Sequence, residues 1–165
     1  MEGKFLYVMA KYDEETEKKL NKIKKALFDA GFVKNQASDF PNHITLGSFE
    51  LDKEFELKDK IKKLCKNTKK ISISFNNIGL FGMKVLFIAP SVTHELLNLQ
   101  EPFNSSYPNN FNWVAHTTMI LDEPEVIQKA LPIIAENFSS FSGYIESIVL
   151  YEFSPSRFIL EEKLL

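Results

Sequence analysis

At 165 residues, the chain suits one compact domain or two small lobes sharing an interface. Apolar residues make up 44% of it, with 15 Phe, which excludes a disordered chain, and its apolar runs, such as residues 85–89, are far too short to cross a bilayer. A formal net charge of −2, with nineteen Lys and one Arg, excludes a surface built to hold long nucleic acid but leaves room for a short or terminal piece of RNA.

Residues 4–10 form an apolar, aromatic-rich run of strand length, and Asp13 is placed to cap a helix carrying Leu20, Ile23, Leu27 and Ala30 on one face. Glu14 and Glu15 suit its first turn and Gly31 its end. A polar loop over residues 34–42 follows, in which Pro41 disfavours helix at Phe40, so the next segment is entered extended. That segment is His43-Ile44-Thr45-Leu46. Asp52 then opens a second helix with Leu57, Ile61, Leu64 and Cys65 on one side, and Cys65 is read as a core residue.

Residues 71–75 alternate as a half-buried strand, residues 76–82 read as a bulged or turning segment, and residues 83–89 as the return strand of a hairpin. Pro90 and Ser91 start a third helix with Val92, Leu96 and Leu99 on one face, leaving His94 at its surface. A second polar loop, residues 101–112, leads into a strand over residues 113–121 that contains His116-Thr117-Thr118-Met119. Pro124 begins a fourth helix with Ile127, Ala130, Leu131 and Ile134 on its face, and Pro132 is expected to kink or restart it. Residues 145–153 and 157–160 make a final pair of strands. The lysine runs at 18–25 and 58–70 read as solvated helix faces.

Two of the three histidines thus sit in a His-x-Thr-apolar strand motif, and each motif is followed by an acidic helix start, an amphipathic helix and closing strands. Ile71 and Ile145 lie at nearly equal distances after their histidines. The expected fold is α+β: a bilobal, pseudo-twofold duplicated module with antiparallel sheets lining a central cleft and helices outside, the whole of residues 1–165 forming a single domain of two interleaved lobes. In a strand, residues i and i+2 share a face about 6.6–7 Å apart, so each motif presents an imidazole beside a hydroxyl. Two such pairs suit a phosphoryl group: one imidazole acts as base, the other as acid, and the threonines bind phosphoryl oxygens, with no nucleophilic side chain needed.

On these motifs, and on the hairpin segment over residues 78–87, the chain resembles the two-histidine (2H) phosphoesterases of the bacterial 2′-5′ RNA ligase and cyclic phosphodiesterase group. The resemblance implies both motifs in a central groove, histidines as acid and base, threonines on phosphate, and no metal or other cofactor. By matching positions those roles fall on His43, Thr45, His116 and Thr118. Met119 departs from the usual branched residue, Thr117 brings a hydroxyl that needs a partner if buried, and the single arginine argues against a basic RNA groove. Lys84 and Arg157 are the candidate substrate-binding cations.

The expected activity is hydrolysis of a 2′,3′-cyclic phosphate or 2′,5′-phosphodiester in a nucleotide or short RNA end, with ligation as its reverse. A non-catalytic nucleotide-binding module on the same fold is one alternative. Metal ligation by His43, His116 and Asp39 or Asp122 is another. Which histidine is the base stays open. No membrane association, a monomer and a cytoplasmic setting complete the expectation, the last because no signal-like N-terminus is present and Cys65 is the sole cysteine.

Overall fold

Strand and helix follow the hydrophobic periodicities closely in a computed structural model that describes residues 4–32, 40–104 and 113–165. In chain order the elements are β1 (Phe5–Tyr12), α1 (Glu14–Asp29), β2 (His43–Phe49), a 3-10 turn (Leu51–Lys53) running into α2 (Glu54–Asn67), β3 (Ile71–Phe81), β4 (Val85–Pro90), α3 (His94–Gln100), a second 3-10 turn (Glu101–Phe103), β5 (Thr117–Leu121), α4 (Pro124–Asn137), β6 (Phe141–Phe153) and β7 (Arg157–Lys163). The Asp13 carboxylate accepts from the Thr16 N–H at 3.1 Å and caps α1, while Gly31, at φ 96°, ends it in a conformation that disfavours side chains. No helix is long and apolar enough to cross a membrane among the described residues.

Several element boundaries differ from expectation: β5 starts at Thr117 rather than at Trp113, so that His116 lies just ahead of the strand, and β6 starts at Phe141 rather than at Ile145. Helix α3 starts at His94 rather than at Pro90, because the Thr93 hydroxyl accepts from the Leu96 N–H at 3.2 Å and sets the cap there, leaving Val92 exposed. Helix α4 does not restart at Pro132 but continues through it, with Pro132 on its exposed side. Strand β3 continues through residues 76–81, and of the bulged or turning segment expected there it is the bulge that forms, between Phe75 and Asn77.

The strands form one antiparallel sheet ordered β2-β1-β6-β3-β4-β5, with β7 also paired to β6. Strand β6 is shared: residues 145–153 pair β1 along one edge, while the other edge meets β3 at residues 141–145 and β7 at residues 147–152. The sheet therefore divides at β6 into two wings, and the chain reads as β1-α1-β2-α2-β3 repeated as β4-α3-β5-α4-β6. Ile71 and Ile145, equivalent in the repeat, are register partners where the two copies join.

One face of the first wing carries Leu6, Val8, Ala10, Ile44, Leu46, Ile148 and Leu150, all buried with α1's Leu20 and Leu27 and α2's Leu57 and Ile61 in one core. Each fully buried aliphatic side chain there contributes about 1.5–3 kcal/mol relative to exposure. The opposite face of the same strands presents Tyr7, Met9 and Lys11 on β1 and, level with the last two, Thr45 and His43 on β2.

Candidate active site

Strands β2 and β5 are the two ends of the sheet path, yet the sheet curls until their edges meet. The Thr117 hydroxyl donates to the His43 carbonyl at 3.0 Å, and the Trp113 indole N–H donates to the Thr45 carbonyl at 2.9 Å. The two motifs, far apart in sequence and at opposite ends of the path, thereby share one place.

Alternation then sorts the side chains. Ile44, Leu46, Thr117 and Met119 are buried, whereas His43, Thr45, His116 and Thr118 are half-buried. Each motif also carries a bulge at its fourth residue. The β1–β2 register slips so that Met9 faces Thr45 and Val8 faces Gly47; the β4–β5 register slips so that Phe87 faces Thr118 and Leu86 faces Ile120. Leu46 and Met119 are the extra residues, and a bulge of this kind re-aims the side chains beside it. Gly47 follows because a Cβ there would stand 2.1 Å from the Phe103 carbonyl oxygen.

The two imidazoles are held by the same device. Nδ1 of His43 lies 2.7 Å from the Pro41 carbonyl oxygen, and Nδ1 of His116 lies 2.7 Å from the Val114 carbonyl oxygen, in each case two residues back along the chain. A carbonyl only accepts, so both Nδ1 atoms carry hydrogen and the open position on each ring is Nε2. Nε2 is then an acceptor in the neutral ring and a donor in the cation, which are the base and acid forms. Aromatic rings flank both: Phe40 stands edge-on to His43 at 6.0 Å, and Phe81 and Phe87 lie 4.7 and 5.2 Å from His116.

Electrostatics separate the pair. Burial pushes His43 down to about 4, with the charges of Lys24 and His116 acting in the same direction and the Pro41 carbonyl against them. His116 is also lowered by burial, partly countered by the Val114 carbonyl. His43 is therefore neutral at pH 7.

Arg157 is turned away from the motifs, and Lys84 is set off along β4. Lys84 lies in the β3–β4 turn, four residues from the Thr117 partner Ile88 and so about 13 Å along the strand, with Glu123 at 3.8 Å. Arg157 faces the helix side of the sheet. Its partner Glu152 is level with buried Leu6, and its guanidinium donates to Glu152 and to Glu54 of α2, both at 2.5 Å. His94 is exposed and Cys65 is buried, as expected. Asp39 lies outside the described residues, and Asp122 accepts from the Glu123 N–H at 2.7 Å. Among the described residues, no group of three or more His, Cys, Asp or Glu is placed to hold a metal ion.

Several contributing residues escape sequence reading. Buried Asn42, just before the first motif, donates from its backbone and side-chain nitrogens to Glu17 at 3.1 and 3.0 Å and to Asn21 at 2.8 Å, tying the motif entry to α1. Lys24, also on α1, supplies positive charge to His43. These three α1 residues lie about twenty to twenty-five residues from the motif, and no local pattern marks them.

The model of the 2′-5′ RNA ligase superfamily matches residues 10–156. No curated protein matches the chain. Among solved structures, Escherichia coli LigT complexed with 3′-AMP aligns at TM-score 0.66 and 15% identity over 99% of each chain. TT0787 of Thermus thermophilus aligns at TM-score 0.66 and 13% identity over 97% of each. Kluyveromyces marxianus Usb1 aligns at TM-score 0.50 and 11% identity over 98% of this chain and 97% of its own.

Proposed function

This chain belongs to the 2′-5′ RNA ligase superfamily, and on that footing we propose that it is a metal-independent phosphodiesterase acting on a 2′,3′-cyclic phosphate or a 2′,5′-phosphodiester of a nucleotide or short RNA end. The observation that carries the reading is the paired imidazole: two rings, each with Nδ1 bound to its own chain and Nε2 open, on strand edges that touch. Acid–base attack in line at phosphorus needs two such nitrogens, one on each side of the phosphoryl group.

His43, the more strongly neutral of the two, takes the role of base, and His116 that of acid. A substrate phosphate brings negative charge that favours a proton on the nearby rings, and the ring less disfavoured by burial accepts it first. In hydrolysis, His43 Nε2 removes a proton from water as the new P–O bond forms. His116 Nε2 gives its proton to the departing ribose oxygen as the old bond breaks. Thr45 and Thr118 donate to the phosphoryl oxygens. With a ribose hydroxyl in place of water attacking the cyclic phosphate, the same groups would join ends, the ring P–O bond breaking as the new diester bond forms.

Substrate size follows from what surrounds the rings. Phe40 contacts Tyr151 at 4.9 Å and Phe153 at 5.5 Å, and Tyr151 contacts the exposed Phe158 at 5.6 Å, so an aromatic surface adjoins His43 on which a base can stack. The single arginine is paired with carboxylates. Stacking with little cationic surface favours a short end over a long strand, and a relative of this fold holding 3′-AMP supports a nucleotide-sized ligand. One copy supplies both histidines, which supports a monomer, and its one buried thiol fits a reducing cytoplasm.

The test uses leaving groups. His116→Ala is expected to lose about 10²–10⁴-fold on a 2′,3′-cyclic nucleotide, yet to recover much of that on a p-nitrophenyl phosphodiester, whose leaving group needs little protonation. His43→Ala should be slow on both. The reverse pattern would exchange the roles, full activity in both variants would end the two-histidine mechanism and leave the motifs structural, and absence of turnover by wild type would leave only a binding module.

A further inference from the structure

Strand β2 ends the sheet path, and on the edge turned away from β1 three motif-region carbonyls are taken by side chains from the other half of the chain. Thr117 donates to His43 at 3.0 Å, Trp113 to Thr45 at 2.9 Å and Gln100 to Leu46 at 3.2 Å. The step from Thr45 to its immediate neighbour Leu46, rather than to Gly47, is where the bulge falls.

Thr117 does more than cap. Its hydroxyl also meets the Tyr12 hydroxyl, and both residues are buried, Thr117 at 1% and Tyr12 at 2% exposure. A hydroxyl has one hydrogen, and that of Thr117 goes to the His43 carbonyl, so Tyr12 must be the donor to Thr117. The order is Tyr12 to Thr117 to His43, a chain through the core from β1 through β5 to β2. In the first motif the place of Thr117 is taken by Ile44, which has no hydroxyl to return the contact. The link therefore runs one way, from the second motif to the first.

Peptide planes and side chains of a strand turn together. Holding the carbonyls of His43 and Thr45 fixes the rotation of β2 about its axis, and with it the directions of the imidazole and hydroxyl that leave the strand. We infer that Thr117 and Trp113 are positioning residues for the proposed two-histidine reaction: by grasping the carbonyls of His43 and Thr45 they set the base and its phosphate-binding neighbour at the spacing from His116 that in-line transfer needs. The inference rests on that reading of the site, and Thr117, buried beneath the motif strands, is shut away from substrate.

The test compares Thr117→Val, Thr117→Ser and Trp113→Phe with wild type, all checked for cooperative unfolding, on a 2′,3′-cyclic nucleotide. Misplacement on the order of 1 Å costs about 10²-fold, so Thr117→Val and Trp113→Phe should each lower kcat about 10–10²-fold with KM nearly unchanged. Thr117→Ser keeps the hydroxyl and should restore most of kcat, which a general loss of stability would not do. In Thr117→Val the acidic limb of kcat/KM, set by the base, should move while the basic limb stays.

His43→Ala run alongside separates the two claims. An active His43→Ala variant defeats the two-histidine reading itself. An inactive one, beside wild-type kcat and limbs in Thr117→Val and Trp113→Phe, overturns the positioning role and leaves the reading intact. Should Thr117→Val fail to fold, Trp113→Phe decides: wild-type kcat overturns the inference, and a kcat loss at constant KM upholds it.

Discussion

Acidification should destabilise this protein through His43, by an amount set by its burial. The ring titrates near 6.5 in an unfolded chain and at about 4 in the folded one. Between those values the unfolded state binds a proton that the folded state refuses, so stability is full above pH 6.5 and falls as pH drops. Integrating the difference gives a loss of about 2 kcal/mol at pH 5 and about 3 kcal/mol at pH 4, reaching its limit below the folded value. His116, also lowered, adds in the same direction. Carboxylates such as Glu161, held low by Ser147 and Lys11 against the effect of its burial, lose their contribution as well once pH falls below their usual range. The comparison that isolates His43 is therefore between wild type and His43→Gln, which cannot titrate. Urea unfolding at pH 7.5, 6, 5 and 4 should show the two curves converging or crossing, with wild type losing about 3 kcal/mol more by pH 4. Parallel curves, or an NMR titration that places the His43 ring near 6.5, would refute the burial argument and remove the reason for naming it the base.

Thr45→Val and Thr118→Val keep the branched shape and delete only the hydroxyl, so each should lower kcat about 10–10³-fold while unfolding at nearly the wild-type urea midpoint; wild-type rates would return these threonines to strand packing. Gly47→Ala sets a Cβ 2.1 Å from the Phe103 carbonyl oxygen, a main-chain atom, and should destabilise by about 1–3 kcal/mol or more, measured by denaturation. Arg157→Ala should leave KM for a dinucleotide unchanged, since its guanidinium is engaged by Glu54 and Glu152 on the helix side of the sheet; a tenfold rise in KM would mean that it reaches the phosphate after all. Turnover should persist in excess EDTA, and its abolition with recovery on adding Mg²⁺, Mn²⁺ or Zn²⁺ would move the mechanism to metal-assisted hydrolysis.

The parts of this fold that are legible in sequence are those that hydrophobic periodicity and repetition control. Leu20, Ile23 and Leu27 mark the buried face of α1, and the nearly equal spacing of Ile71 and Ile145 behind their histidines anticipates that they are equivalent, though not that they pair. The curl that joins β2 to β5 is not legible, because it depends on how a whole sheet twists, and no pair of residues announces it. Thr117 stands out in sequence only as a hydroxyl needing a partner; the partners, Tyr12 and the His43 carbonyl, are about one hundred and about seventy residues away. Charge alone marks Lys84 and Arg157, and charge says nothing of which face of the sheet a side chain takes.

The atoms that orient the two imidazoles, the carbonyl oxygens of Pro41 and Val114, belong to the main chain. No point substitution can delete them, so the choice of reactive nitrogen is robust to mutational drift. An insertion or deletion between residues 41 and 43, or between 114 and 116, would break it at once by changing which carbonyl lies two residues back. The two short segments should therefore tolerate changes of side chain far better than changes of length, and a library that varies both would separate the two cleanly.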